Sequence, residues 1–369
     1  MASAGSVVKL TFTGDLMCIK QQIKAHKTEA GVFDFSEIFN DCKNYFSSSD
    51  YVIGNLESPL ADAAYCNHII TYNSPLAFAQ AVKNSGFSMV TTANNHCLDR
   101  GLSGLEDTIK ALDLIGLKHT GTNNQNNLTT GIIENFANIK IGFLSYTYGT
   151  NAWNNKIFLN ENEKWKVNLF QEQEIYNFKT KQKNDNLFFD RMREDIKVIK
   201  SAGAEYIIMC LHAGGQYSPV PLKKTKKIAA LIADMGVDAV ITNHEHVIHN
   251  IEIISDKVFA YSLGNFSSLF CIHSKPFIKL SDYSVILNLY LSKENTVKID
   301  DITFSIAKTI TAGRNKVKTV LLFDLINNCT EKSKQNNLLK DNLKIYNRFL
   351  NRKESEIELK LEYSIKKAH

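Results

Sequence analysis

The stretch "GFSMVTTANNHCLDRGLSGLEDTIKALDLIG", Gly86–Gly116, reads as one strand–helix unit. An apolar run ends in a cluster of amide, imidazole and carboxylate groups: Asn94, Asn95, His96 and Asp99. An amphipathic segment follows and stops at Gly116, as a helix with a glycine C-cap does. A strand that ends in ligand-type side chains and feeds a helix belongs to an α/β fold, where sites assemble beyond the carboxyl ends of strands.

The same unit recurs on both sides. Apolar runs occur in "SVVKLTFTGD", "DYVIGNLESPL", "IKIGFLSYTYG", "AEYIIMCLHAGG", "VDAVITNHEH" and "KVFAYSLGNF". Amphipathic segments lie between them in "PLAFAQAVKNSG", "FDRMREDIKVIKSAG" and "KKTKKIAALIADMG". The alternation predicts a largely parallel or mixed sheet. Residues 151–186 break the rhythm and read as an insertion or a loop over the site. The main domain is expected over 1–312 and a basic extension over 313–369, helical from about residue 330. Leu339, Leu343, Tyr346 and Leu350 form its expected apolar stripe.

The 369 residues suffice for one large domain with an appendage or for two domains. Hydrophobic content of 44% and charged content of 22% are those of an ordinary globular protein. Net charge is +5. Residues 313–369 carry 13 Lys/Arg against 7 Asp/Glu, a net of +6, so the remaining residues sum to −1. A main body this close to neutral argues against nucleic acid as the partner. Neither a secretory leader nor an apolar run of membrane-spanning length is read, and the 7 cysteines show no CxxC spacing. These features predict a cytoplasmic protein with reduced thiols and no transmembrane segment.

Five strand ends carry potential metal ligands: Asp15; Asn55 and Glu57; Asn95 and His96; His212; His244 and His246. Taken singly, each is as readily a turn, a cap or a satisfied buried imidazole. Taken together they fit a hydrolytic metal centre. Glu57 has the chemistry to bridge two ions, and Asn95 offers an amide oxygen. His244 and His246, two apart, point the same way if the backbone is extended, one for each ion. His96 faces away from Asn95 and serves as general acid. Asp99 reads as the cap of the following helix or as a group orienting His96, and Arg100 as an anion contact. Cys97 has no specified base and makes a poor nucleophile. Lys223, Lys224, Lys226 and Lys227 read as a solvated helix face. His68, Tyr72 and Tyr217 are candidates to line the cleft.

The chain resembles the bacterial CapA family of poly-γ-glutamate capsule synthesis, within the calcineurin-like metallophosphoesterase superfamily. The residues that carry the resemblance are "GDLM", "NLESPL", "NNHCLDRG", "GLKHTGTNNQNN", "IGFLSYTYGTN", "LHAGGQYSP", "GVDAVITNHEHVIHNIEII" and "YSLGNFSS". It implies a four-layer α-β-β-α sandwich. It implies that Asp15, Glu57, Asn95, His212, His244 and His246 bind metal, and that His96 is the acid. Asn55 and Asn265 would support the ligands or touch substrate. Met17 stands where the wider superfamily has a histidine, so one ion would have fewer protein ligands. Gln216 replaces a glutamate of the family's usual motif, Ala213 a tryptophan, and Asn243 a glycine.

The implied cofactor is one or two divalent ions of Mn, Zn or Fe. The implied reaction is attack of metal-bound hydroxide on a phosphoester or on a γ-glutamyl, peptide-like amide. The implied partners are an acidic substrate, a phosphoester or polyglutamate-like polymer, and capsule-synthesis proteins. The alternatives are a non-catalytic metal-binding subunit of a polymer-synthesis complex and a phosphodiesterase acting on nucleotides.

Overall fold

No residue of Val8–Leu16, strand β1, is exposed, on either face of the strand. Side chains alternate between the two faces of a sheet, so a strand buried throughout must be covered on both sides. The computed structural model describes residues 7–61, 63, 71–125, 131–136, 138–171, 173, 175–177, 182–184, 187–268, 280–313 and 316–365. His68 lies outside them.

After β1 come α1 (Lys20–Ala25), α2 (Asn40–Phe46), β2 (Tyr51–Leu56), α3 (Leu76–Asn84), β3 (Met89–Thr91), α4 (Gly101–Ile115) and β4 (Lys118–Thr120). The middle of the chain forms β5 (Ile132–Phe136), β6 (Ile139–Thr147), α5 (Ala152–Asn155), β7 (Ile175–Asn177), β8 (Gln182–Asn184), α6 (Asp190–Ser201), β9 (Tyr206–His212) and α7 (Lys223–Asp234). Then follow β10 (Ala239–Asn243), β11 (Ile251–Ile254), β12 (Lys257–Ala260), β13 (Tyr283–Lys293), β14 (Val297–Ala312) and β15 (Lys316–Leu321). The chain closes with α8 (Leu322–Asn327), α9 (Lys332–Leu350) and β16 (Tyr363–Ser364). All seven expected strands and all four expected helices are present.

Two mixed sheets result. The first has the order β15-β14-β13-β1-β2-β3-β4, with β16 on β14, and the second β11-β12-β10-β9-β6-β5. Strands β1, β2, β3 and β4 run parallel, as do β6, β9, β10 and β12. Leu10, Phe12, Ile53 and Met89 of the first sheet share one core with Ile141, Phe143, Ile208 and Ile241 of the second. On the far face of the first sheet, Val52 and Val90 pack with Phe39 and Phe46 of the α2 region, Phe78 of α3 and Leu112 of α4. On the far face of the second, Leu144 and Ile207 pack with Ile196 of α6 and Ile232 of α7. Four layers in the order α-β-β-α follow from these three cores, as the resemblance implies.

The last helix is rotated from its expected face. Leu338, Asn342, Ile345 and Phe349 are its buried residues. Leu339, placed in the expected stripe, is 38% exposed, and Tyr346 and Leu350 lie at the margin of the core. The cause is a polar residue on the inner face. Asn342 Nδ2 donates to Tyr363 Oη at 2.8 Å, so a buried amide is satisfied where the apolar pattern expects none. Strands β15 and β16 both pair with β14, which ties residues 316–364 to the first sheet. Among the described residues no helix is long and apolar enough to cross a membrane.

Candidate metal centre

The parallel strands of both sheets point their carboxyl ends at one place. Asp15 arrives there on β1 because Gly14 lets the backbone pass close to the segment after β12. A Cβ on Gly14 would stand 1.9 Å from Gly264 O. Only glycine fits such an approach. Asp15 N then donates to Gly264 O at 2.9 Å, and Asp15 forms a parallel bridge with Asn265. Glu57 follows β2, with its amide on Leu16 O at 3.0 Å. Asn95 and His96 follow β3, and His212 ends β9. His244 and His246 follow β10.

Two groups of three emerge, Glu57 with His212 and His244, and Asp15 with Glu57 and His246. In each, one candidate ligand atom per residue lies within 4.8 Å of the others. Glu57 is common to both. His212 Nε2 lies 3.4 Å from Glu57 Oε1 and 3.1 Å from His244 Nδ1, and Asn95 Oδ1 stands 2.7 Å from the same Nε2. His246 Nδ1 lies 3.3 Å from Asp15 Oδ2, and its Nε2 lies 3.8 Å from Glu57 Oε1.

The donor set fits a divalent cation. Asp15 and Glu57 are fully buried, and Asp15 Oδ2 and both Glu57 oxygens have no hydrogen-bond partner. Isolated buried carboxylate oxygens are costly unless a cation or proton meets them. Burial, together with the charge of Asp15, pushes the Glu57 carboxyl up to about 8. Burial pushes Asp15 the same way, but the close approach and charge of His246 outweigh it and leave Asp15 below its ordinary value. Burial brings His212 down to about 4 and holds His244 well below the usual imidazole range. Both are therefore neutral at pH 7, the form that ligates metal. On His246 burial acts downward, yet the Glu57 and Asp15 carboxylates raise it overall. Carboxylate, amide oxygen and imidazole suit Mn, Fe or Zn.

The expected extended geometry of the histidine pair is not what separates them. His244 and His246 have φ of 125° and 58°, so a left-handed turn beyond β10 aims the two rings apart. Their centroids are 6.0 Å from each other. Asp99 is also not a helix cap. The N-cap of α4 is Arg100, with no side-chain cap. Asp99 Oδ2 instead lies 2.7 Å from His96 Nδ1 and accepts from Tyr72 N at 2.6 Å. His96 stands outside both groups of three, with Nε2 4.0 Å from Glu57 Oε1.

The remaining candidates separate. Asn55 Nδ2 donates to Asp15 Oδ1 at 2.8 Å and lies 3.2 Å from His212 Nδ1, so it braces two ligands. Asn265 Oδ1 lies 2.9 Å from His246 Nδ1. Tyr217 places its ring 5.5 Å from that of His246, and Tyr72 its ring 4.4 Å from that of His96. Arg100 Nη1 donates back to Asp99 O at 3.2 Å. Gln216 is exposed in the loop after β9. Met17 is buried with Ile19 and Tyr72. Cys97 is buried and its thiol is pushed up to about 12 by desolvation, which removes it as a nucleophile.

One residue escaped the sequence reading although it sits inside "NHEH". Glu245 is fully buried, with neither carboxylate oxygen hydrogen-bonded and Oε1 3.7 Å from His249 Nδ1. Burial holds its carboxyl well above the ordinary value. Gly214 makes room for it, since a Cβ there would lie 1.8 Å from Glu245 Oε1. The signal was available as a carboxylate between two candidate ligands.

Residues 9–269 match the family described as bacterial capsule synthesis protein PGA_cap, and the chain belongs to that family. It is 23% identical over 320 residues to the capsule biosynthesis protein CapA of Bacillus anthracis, covering 83% of this chain and 70% of that one. It is also 23% identical over 304 residues to the PGA biosynthesis protein CapA of Bacillus subtilis strain 168, covering 80% and 70%. Among solved structures, a calcineurin-like phosphoesterase from Bacillus subtilis is similar at 13% identity and a TM-score of 0.45, covering 92% of this chain and 97% of that one.

Proposed function

We propose that the chain is a metal-dependent hydrolase or transferase acting in synthesis of a capsule or poly-γ-glutamate-type polymer. Glu57 carries the reading. A buried carboxylate with both oxygens unbonded, shared by two groups of ligand atoms, is the feature a bridged pair of divalent ions requires. Asp15, Glu57 and His246 would hold one ion, and Glu57, Asn95, His212 and His244 the other. With Met17 offering no ligand of its own, the first ion would have three protein ligands and would be free to take water or substrate. Bound ions would supply Lewis-acid polarisation and activate water.

The chain's own groups supply the rest. Asn55 and Asn265 hold His212, Asp15 and His246 in place. His96 is buried, free of both ligand groups, and braced by Asp99 through Nδ1. Its Nε2 is thereby left to serve the leaving group as proton donor. A site kept only for structure has no use for such a braced histidine, and this favours catalysis over the role of a binding subunit. The same ligands serve a phosphoester or a γ-glutamyl amide. Family membership favours an acidic substrate of the polymer-synthesis pathway.

Elemental analysis of the purified protein, followed by assay of phosphoester and γ-glutamyl substrates with Mn, Zn and Fe, tests the proposal. Bound metal and turnover of one class are expected. Protein that binds no divalent ion, or whose His96→Ala variant turns over as fast as wild type, would overturn it.

A further inference from the structure

A further amide touches the site, from the segment that breaks the strand–helix rhythm. Asn151 precedes α5 with φ of 50°, a left-handed conformation that asparagine adopts more readily than most residues. Its backbone is fixed on both sides. Asn154 N and Asn155 N donate to its carbonyl at 2.8 and 3.1 Å. Asn155 Nδ2 donates to Thr150 O at 2.6 Å, and Gln173 Nε2 to Thr150 Oγ1 at 2.5 Å.

The side chain reaches two residues of the centre at once. Its Oδ1 accepts from Asn95 Nδ2 at 3.2 Å. Its Nδ2 lies 3.4 Å from His96 Nδ1 and 3.5 Å from His96 Nε2. An amide can present oxygen or nitrogen, but a cation accepts only oxygen. With Asn95 Nδ2 engaged by Asn151, Asn95 Oδ1 is turned inward, where it stands 2.7 Å from His212 Nε2. Flipping Asn151 would set two amide NH2 groups face to face. Each amide therefore fixes the orientation of the next.

We infer that Asn151 is a positioning residue: it holds the Asn95 amide with oxygen toward the ions and keeps the His96 ring in place beside Glu57. The inference rests on the metal reading of the site. It gives the first residue of the segment that interrupts the strand–helix rhythm a role in the centre, because Gln173 and Thr150 anchor the loop that carries Asn151.

Two variants suit a left-handed backbone. Asn151→Gly removes both contacts, and Asn151→Asp keeps the acceptor for Asn95 while removing the NH2 beside the His96 ring. Binding of Mn²⁺ and Zn²⁺ to metal-free protein is measured by calorimetry, beside thermal unfolding. Asn151→Gly is expected to unfold near the wild-type temperature and to bind one of the two ions about 10- to 100-fold more weakly. Asn151→Asp is expected to retain wild-type affinity. Equal binding by wild type and Asn151→Gly would overturn the assignment, as would an Asn151→Asp loss as large as that of glycine. Wild-type protein that takes up neither ion would instead overturn the metal reading, and the role of Asn151 with it.

Discussion

His96 Nδ1 lies 2.7 Å from Asp99 Oδ2, and both side chains are buried. A buried carboxylate against one ring nitrogen fixes which nitrogen carries the proton and which faces the site. Asp99→Asn offers an amide that can meet Nδ1 as donor or acceptor, so the tautomer is no longer set. Turnover should fall roughly 100- to 10,000-fold in His96→Ala, and by a large part of that factor in Asp99→Asn. Metal content of both variants should match wild type by elemental analysis. Loss of metal in His96→Ala would make it a ligand rather than a proton donor.

Glu57→Gln separates function from stability. The carboxylate is shared between both groups of ligand atoms, so the neutral amide should weaken both ions together, by more than about 100-fold. His246→Ala should cost one ion equivalent and leave the other. Metal-free Glu57→Gln should nevertheless melt no lower than metal-free wild type at pH 8, because a buried carboxylate without a hydrogen bond is removed. Metal stoichiometry and thermal unfolding on the same samples check both halves.

The metal-free protein should lose stability as pH rises from about 6.5 to 8. Glu57 is raised to about 8 in the folded chain, so folding takes up a proton there between about 4.5 and 8, and stability declines as that proton leaves. His246 is also raised, and its contribution is lost in the same direction as pH passes its folded value. His212 and His244 are lowered and act oppositely, but only below about 6.5, where unfolded imidazole is protonated. A divalent ion replaces the proton on Glu57, so the stabilisation by added Mn²⁺ should grow from pH 6.5 to 8. Melting curves with and without metal test this, and a metal-induced shift that is flat with pH would count against it.

What the sequence made legible was set by backbone periodicity. Strands with continuous apolar runs, such as Ile139–Thr147 and Ala239–Asn243, were visible, and their carboxyl ends located every ligand candidate. The antiparallel strands β13 and β14 went unmarked because polar residues such as Asn288, Thr303 and Ser305 sit within them. Those residues are buried but satisfied by one another: Asn288 Nδ2 donates to Thr303 Oγ1 at 3.0 Å, and both Asn288 and Ser305 donate to Tyr45 Oη. Asn151 was hidden for a different reason. Its contacts join residues 55 and 56 positions apart, and no local pattern reports such a meeting.

Residues 330–369 are expected to be indispensable to folding. Phe349 packs on Phe304 of β14 with ring centroids 4.8 Å apart, and Tyr363 stacks on the same ring at 5.2 Å. Glu362 accepts from Tyr45 Oη at 2.9 Å and Tyr290 Oη at 2.7 Å, and lies 3.4 Å from Lys9 Nζ. Burying Leu338, Ile345, Phe349 and Tyr363 contributes about 1.5–3 kcal/mol each. Their sum is comparable to the whole stability of a typical domain, about 5–15 kcal/mol. A chain ending before Thr330 should therefore lose cooperative unfolding and expose Phe304. Phe349→Ala alone should lower stability by about 3–5 kcal/mol in denaturant titration. A truncated chain that still melts cooperatively and binds metal would show that the segment is an accessory, and its contacts with the first sheet would then need another purpose.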